Sequence, residues 1–285
     1  MERQEIMKLK NKPIIISAAD AITAKLVEEA GFDGIWCSGF EISSRIFLAD
    51  NGTMNSTDML NAIRPIIDAV NIPVFVDVDE GYGSIHNAVR MAKDFQKAGV
   101  YAICIEDNIF PKTNSLWDEK IPIQDMKIQG SKIKAIKGEA HKLKVIARTE
   151  ALIRGYGVEE TIKRGEHYAE CGADYVLLHS RDTTGKEALE MPKHWKLKTP
   201  LVIIPTKSPQ ITNKQFFDAG YSLVIWGNIS ERLKIKAIRE GLKLLKKNDC
   251  PIETERGLSA TLDDLRNLTP IKEADEIERK YGVKK

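Results

Sequence analysis

No stretch of this chain approaches the roughly eighteen consecutive apolar residues that a membrane-spanning helix needs. The opening MERQEIMKLKNK carries basic residues, but no apolar stretch of signal-peptide form follows it. Neither sign of charge dominates: 43 Lys and Arg stand against 41 Asp and Glu, a formal net charge of +2. Such a balance argues against a nucleic-acid or acidic-membrane partner. The basic stretch 234–247 and the terminal Lys284-Lys285 read as solvated helix faces. Cysteine is scarce. Cys37, Cys104, Cys171 and Cys250 form no C-x-x-C pair and no metal-ligand cluster. They read as reduced core residues of a cytoplasmic protein. Linkers, low-complexity tracts and signs of a second domain are also missing, so one domain is expected over 1–285.

What is there is a chain of 285 residues, 42% hydrophobic and 29% charged, which is the make-up of a soluble globular protein. Eight short apolar, β-branched runs recur: 14–19, 34–39, 74–79, 102–107, 144–150, 173–180, 201–207 and 221–228. Their starts are nearly continuous in apolar character, as in strands covered on both faces. Segments of helical period lie between them. Ile22, Leu26, Val27 and Ala30 form one predicted face, and Ile85, Val89, Ala92 and Phe95 another; each segment stops at a glycine. In 158–172, Val158, Ile162 and Tyr168 precede Cys171-Gly172. Strand alternating with helix, eight times, predicts an α/β protein with a closed parallel (β/α)₈ barrel, which takes about 250 residues. An open doubly wound sheet is the runner-up, but the first turn, Ser17-Ala18-Ala19-Asp20, lacks the glycine such folds use. Residues 229–285 read as the last barrel helix and a helical extension, with a capped start at Ser259 or Thr261.

Polar residues collect at the carboxyl ends of the predicted strands, where barrel enzymes carry their active sites. Asp77 and Asp79 are two apart and share one face of a strand. Side by side in a barrel they repel unless a cation intervenes. With Glu106 from the next strand they form an all-oxygen set that suits Mg²⁺; Mn²⁺ fits as well. Each acid alone would serve equally as a helix cap. Arg148, His179 and Lys112 bring positive charge to the same face, and an Arg fork matches phosphate or carboxylate oxygens. Arg148 could equally be a structural ion-pair partner, and a lone His179 is more often structural than catalytic. Ser38-Gly39-Phe40, after Trp36, offers a hydroxyl and successive N–H groups, or simply a turn. The segment 108–120, NIFPKTNSLWDEK, is either a lid over the barrel mouth or a plain surface loop.

The string Glu106-Asp107-Asn108-Ile109-Phe110-Pro111-Lys112-Thr113-Asn114-Ser115 resembles the gating-loop signature of the phosphoenolpyruvate mutase family, within the isocitrate lyase superfamily. Trp36…Ser38-Gly39, Asp50, Asp77-x-Asp79-x-Gly81-Tyr82-Gly83, Ala147-Arg148-x-Glu150-Ala151, His179-Ser180, Pro205-Thr206-Lys207 and Trp226-x-Asn228 follow in the matching order. The resemblance covers about residues 12–283. It implies reversible conversion of phosphoenolpyruvate to phosphonopyruvate, the entry to phosphonate biosynthesis. It implies a homodimer or homotetramer that exchanges its eighth helix; pathway coupling to a phosphonopyruvate decarboxylase would draw product forward, and whether it exists is not read from the sequence. By position, Asp77 would bind Mg²⁺ directly, and Asp50, Asp79 and Glu106 would hold its waters. Trp36 falls at the substrate end, and Ser38, Gly39 and Phe40 would fix the pyruvyl group. Lys112, Asn114, Ser115, Arg148 and His179 would surround the phosphoryl group, with Asp50, Lys112, Asn114, Arg148 and His179 as the catalytic set.

Two positions depart from the signature: Asn108 stands where Lys is usual, and Phe40 where Leu is common. The alternative is phosphonopyruvate hydrolase, which shares nearly all of this site and resembles the mutase with Thr in place of the Asn at 114, or another superfamily C–C lyase or decarboxylase acting on a 2-oxo acid. Lyases of the superfamily carry a lid cysteine, and no Cys lies between 105 and 170. A non-catalytic scaffold would be expected to have lost one of Asp77, Asp79, Glu106, Arg148 or His179, and all are present.

Overall fold

A computed structural model describes residues 9–114 and 121–282. Eight parallel strands close a barrel in the order β1 to β8. They are β1 (Ile14–Ser17), β2 (Gly34–Cys37), β3 (Val74–Asp77), β4 (Ala102–Glu106), β5 (Lys144–Thr149), β6 (Tyr175–Leu178), β7 (Leu201–Ile203) and β8 (Tyr221–Trp226). Closure is direct, with Ile14 opposite Val224 and Ile16 opposite Trp226. The strands end earlier than their sequence runs, because the polar residues that follow leave the sheet to build the rim.

The helices of this unit are α1 (Ala21–Glu29), α2 (Gly39–Arg45), α3 (Ser56–Ala69), α4 (Ile85–Ala98), α5 (Met126–Glu139), α6 (Gly157–Glu170), α7 (Lys186–His194) and α8 (Asn213–Ala219). Their starts are capped by other residues than the candidate acids. Asp20 accepts from Thr23 N before α1, Ser84 caps α4 and Asp125 caps α5. Two predicted helix faces are rotated. Ile22 and Leu26 are exposed, and α1 buries Thr23, Ala24 and Val27. Ile85 is likewise exposed, and α4 buries Ala88, Met91, Ala92 and Phe95. In α1 small residues take most of the inward face, while in α4 Met91 and Phe95 join the two alanines there.

The barrel interior is filled by alternate strand residues, among them Ile15, Trp36, Phe75, Cys104, Ile146, Leu177, Val202 and Ile225. Continuing each alternation by one step reaches the rim: Trp36 leads to Ser38, Phe75 to Asp77, Cys104 to Glu106, Ile146 to Arg148 and Leu177 to His179. An apolar plug therefore passes into a polar mouth along the same strand faces.

The chain divides into two compact units, the first ending at Ile229 and the second running from Ser230. The second is helical: α9 (Ile229–Asn248) continues into it, followed by α10 (Ile252–Gly257), α11 (Leu262–Asn267) and α12 (Ile271–Lys280). Thr261, not Ser259, caps α11 and accepts from Asp264 N. Among the described residues no helix is long and apolar enough to cross a membrane. Cys37, Cys104 and Cys171 are buried free thiols as expected, but Cys250 is exposed and lies outside any core.

Candidate active site

The rim residues converge on one cavity of ≈ 70 Å³, lined by Trp36, Ser38, Phe40, Asp50, Asp77, Glu106, Lys112, Asn114, Arg148 and His179. That is far smaller than the roughly 300–1,000 Å³ of a drug-sized site and suits a ligand of few atoms. Ile204, Thr206, Gly227 and Asn228 close the opposite side. Thr206, Gly227 and Asn228 fall in motifs that carry the resemblance but were given no role, and Ile204 was not singled out; their place at the ends of β7 and β8 was the available signal. Gly39 sits behind the wall. Its N–H donates to Asp77 Oδ2 at 3.4 Å. A Cβ there would meet Asp79 Oδ1 at 3.0 Å, so glycine permits the close approach. Asp79, with φ +49°, turns in under the cavity wall rather than lining it. Ser115 lies outside the described residues.

Two side chains of the segment after β4 reach in from above. Lys112 Nζ lies 2.7 Å from Asp50 Oδ1 and 2.5 Å from Asp79 Oδ1. Asn114 donates from Nδ2 to Asp50 Oδ2 at 2.6 Å. These groups are buried or nearly so, whereas Ile109, Phe110 and Pro111 just before them are exposed.

On the floor, Glu106 and Arg148 are register partners of neighbouring strands, and Arg148 Nη1 lies 3.2 Å from Glu106 Oε2. Arg148 Nε donates to Glu150 Oε1 at 2.5 Å. His179 Nδ1 lies 2.9 Å from both Glu150 Oε1 and Arg148 Nη2. One ring nitrogen cannot donate to Glu150 and accept from Arg148 at once, so the two contacts belong to two tautomers. Glu150, fully buried, is the residue that sequence reading left without a role. Its neighbourhood with His179 exists only across two strands.

The electrostatics are those of an anionic pocket short of positive charge. Among the described residues, Asp50, Asp77, Asp79, Glu106 and Glu150 face Lys112 and Arg148. Burial raises Asp77 above the usual carboxylate range, against Lys112 and Arg148. Burial likewise pushes Asp79 to about 6 and Glu106 to about 8. Burial works to lower Lys112, but Asp79, Glu106 and Asp50 hold it well above the ordinary ammonium value. Burial, helped by Arg148, lowers His179 and keeps the ring neutral.

A divalent cation fits this set. Asp77 Oδ1 is buried without a hydrogen-bond partner, which is costly for a carboxylate unless something positive meets it. Among the described residues no three acidic, His or Cys side chains converge tightly enough to cage an ion unaided. One direct carboxylate with further acids acting through water is the pattern of Mg²⁺, which sheds its waters reluctantly.

Comparison with known proteins shows the family. The family described as phosphoenolpyruvate phosphomutase matches residues 5–246. This chain belongs to that family. The phosphoenolpyruvate phosphomutase of Tetrahymena pyriformis is 33% identical over 284 residues, covering 98% of this chain and 93% of that protein. Phosphonopyruvate hydrolase of Variovorax sp. (strain Pal2) is 38% identical over 231 residues, or 79% of each chain. Among solved structures, phosphoenolpyruvate phosphomutase from Streptomyces platensis subsp. rosaceus superposes with a TM-score of 0.92 at 32% identity, covering 98% and 96% of the two chains. A phosphonopyruvate hydrolase in complex with oxalate and Mg²⁺ superposes with a TM-score of 0.89 at 31% identity, covering 99% of each. The phosphomutase family thus accounts for the barrel, and both kinds of relative cover the strands that carry the rim.

Proposed function

We propose that this enzyme interconverts phosphoenolpyruvate and 3-phosphonopyruvate, the first step of phosphonate biosynthesis. The observation that carries the reading is the seating of Lys112 and Asn114 on Asp50 and Asp79, inside a cavity whose floor is Arg148 and His179. The reaction breaks the bond from phosphorus to the enol oxygen and forms one to C3 of the same three-carbon unit. No water and no net proton enters. Such a transfer needs positioning and charge neutralisation more than a strong base.

Asp77 would hold Mg²⁺ (or Mn²⁺) directly, with Asp50, Asp79 and Glu106 on its waters; the ion supplies charge neutralisation for the enolate and phosphoryl oxygens. Ser38 and Phe40, with Trp36 beneath, flank the pyruvyl end. Arg148, oriented by Glu106 and Glu150, sets its guanidinium charge against the phosphoryl oxygens. The His179 tautomer that accepts from Arg148 at Nδ1 keeps its proton on Nε2 for a phosphoryl oxygen. Lys112 and Asn114 steady the group in transit, and the covering segment keeps water out, since water would divert the reaction to pyruvate and phosphate.

A second reading, phosphonopyruvate hydrolase, is favoured by the 38% identity to such an enzyme. The two readings are separated by ³¹P NMR of the protein with phosphonopyruvate and Mg²⁺. A phosphoenolpyruvate resonance supports the mutase, and inorganic phosphate with pyruvate supports the hydrolase.

The assembly we infer is a homodimer or homotetramer of one-domain chains in which α9 serves as an exchanged eighth barrel helix. The exposure of Ile235, Ile238 and Leu242 along α9 supports it. The four free thiols support a reducing, cytoplasmic setting, with a phosphonopyruvate decarboxylase consuming the product.

A further inference from the structure

Arg154 is buried to 2% exposure, yet it does not line the cavity and takes no part in the mechanism above. A guanidinium is seldom buried so fully without a task for its donors. Its Nη2 donates to the carbonyl oxygen of Thr113 at 3.2 Å and to Thr113 Oγ1 at 3.1 Å, with Asn108 Oδ1 at 3.5 Å. Asn108 in turn donates to Glu106 Oε1 at 2.6 Å.

The segment 112–114 lacks helix and turn, and its side chains alternate. Lys112 and Asn114 reach Asp50 and Asp79 on the cavity side, and Thr113 between them meets Arg154 on the other. Arg154 also belongs to the turn after β5. Its N–H donates to the carbonyl of Glu150 at 2.9 Å, and the Glu150 carboxylate holds Arg148 and His179. One short turn therefore fixes both the groups on the cavity floor and the back of the segment that covers it.

We propose that Arg154 is a positioning residue for phosphoryl transfer: through Thr113 it holds Lys112 and Asn114 in register with Arg148 and His179, and so decides whether the phosphoryl group returns to the substrate or meets water. This deepens the mutase reading and rests on it.

The test compares Arg154→Met, Arg154→Lys and Thr113→Val with the wild-type protein in Mg²⁺. Three quantities are read: kcat against KM with phosphonopyruvate, the share of product released as pyruvate and phosphate, and amide hydrogen exchange over 108–114 with oxalate bound. Loss of a buried charged hydrogen bond corresponds to roughly ten- to hundredfold. Arg154→Met is expected to lower kcat by that factor with KM little changed, to raise the hydrolysed share, and to speed exchange over 108–114. Arg154→Lys, which keeps a donor but not the fork, should recover part of each. Thr113→Val should move the same quantities less, and it carries the test if Arg154→Met does not fold. Folded variants with wild-type kcat, product share and exchange would overturn the proposal. If the wild-type protein makes no phosphoenolpyruvate, the mutase reading fails on its own. Exchange over 108–114 then still decides the latch: faster in the variants supports it, unchanged rejects it.

Discussion

Lys112 Nζ lies 2.5 Å from Asp79 Oδ1, and the two residues come from different strand ends, 33 positions apart. The ammonium offsets a carboxylate that burial would otherwise leave partly protonated near neutral pH. Lys112→Met should therefore lower kcat by about 10²- to 10³-fold, the range for removing one buried group that stabilises developing charge. Steady-state kinetics with phosphonopyruvate checks it, and a loss under threefold or so would remove Lys112 from the chemistry.

Asp77 offers the carboxylate oxygen without a partner. In the wild-type protein, Mg²⁺ with oxalate at about 100 times its dissociation constant should add about 2.7 kcal/mol, a rise of a few degrees in Tm. Asp77→Asn should abolish that rise while the protein stays folded without the ion. A full shift in the variant would mean that the ion is held elsewhere.

Buried titratable groups, Glu106 and His179 among them, give the metal-free protein a signed pH dependence. Burial raises Glu106 from 4.5 to about 8 against the pull of Arg148, so the folded state holds a proton that the unfolded chain has lost. Its contribution is complete below 4.5 and disappears as pH climbs through about 8. His179 is lowered from 6.5 by burial and Arg148, so its contribution is complete above 6.5 and falls away as pH drops below it. Below 6.5 His179 opposes Glu106 and Asp79, the latter raised to about 6. Between 6.5 and about 8 His179 no longer acts, while Glu106, with Asp77 raised in the same direction, makes stability decline as pH rises. Thermal scans in chelator read this directly. Glu106→Gln should flatten the slope, and a flat wild-type profile would contradict the assignment.

Gly52 has φ +79°, and a Cβ on it would lie 3.2 Å from both Lys112 N and Pro111 Cβ. Gly52→Ala should cost about 1–2 kcal/mol from the left-handed backbone alone. It should also lift the covering segment, lowering kcat beyond what the drop in Tm explains. Unchanged kcat with lowered stability would confine Gly52 to the fold.

Asp77, Glu106, Arg148 and His179 were legible as a set because strand period and barrel topology send them to one rim. The helix faces of α1 and α4 were legible in part: Val27, Ala92 and Phe95 are buried as expected, but Ile22, Leu26 and Ile85 are exposed, and Thr23, Ala24, Ala88 and Met91 take their place. Glu150 and Arg154 could not be assigned from spacing. Their partners, His179 and Thr113, are 29 and 41 positions away, and only closure of the barrel brings them together. Cys250 was read as core on residue type alone, and an exposed helix junction overrode it.

The claim at the centre is that the phosphoryl group passes between two atoms of one substrate without touching water. Running phosphonopyruvate with the enzyme and Mg²⁺ in ¹⁸O-labelled water, and following ³¹P resonances, tests it most directly. Phosphoenolpyruvate whose phosphoryl oxygens carry no solvent label is the expected product. Inorganic phosphate bearing one solvent oxygen, released with pyruvate, would contradict it and make the enzyme a hydrolase.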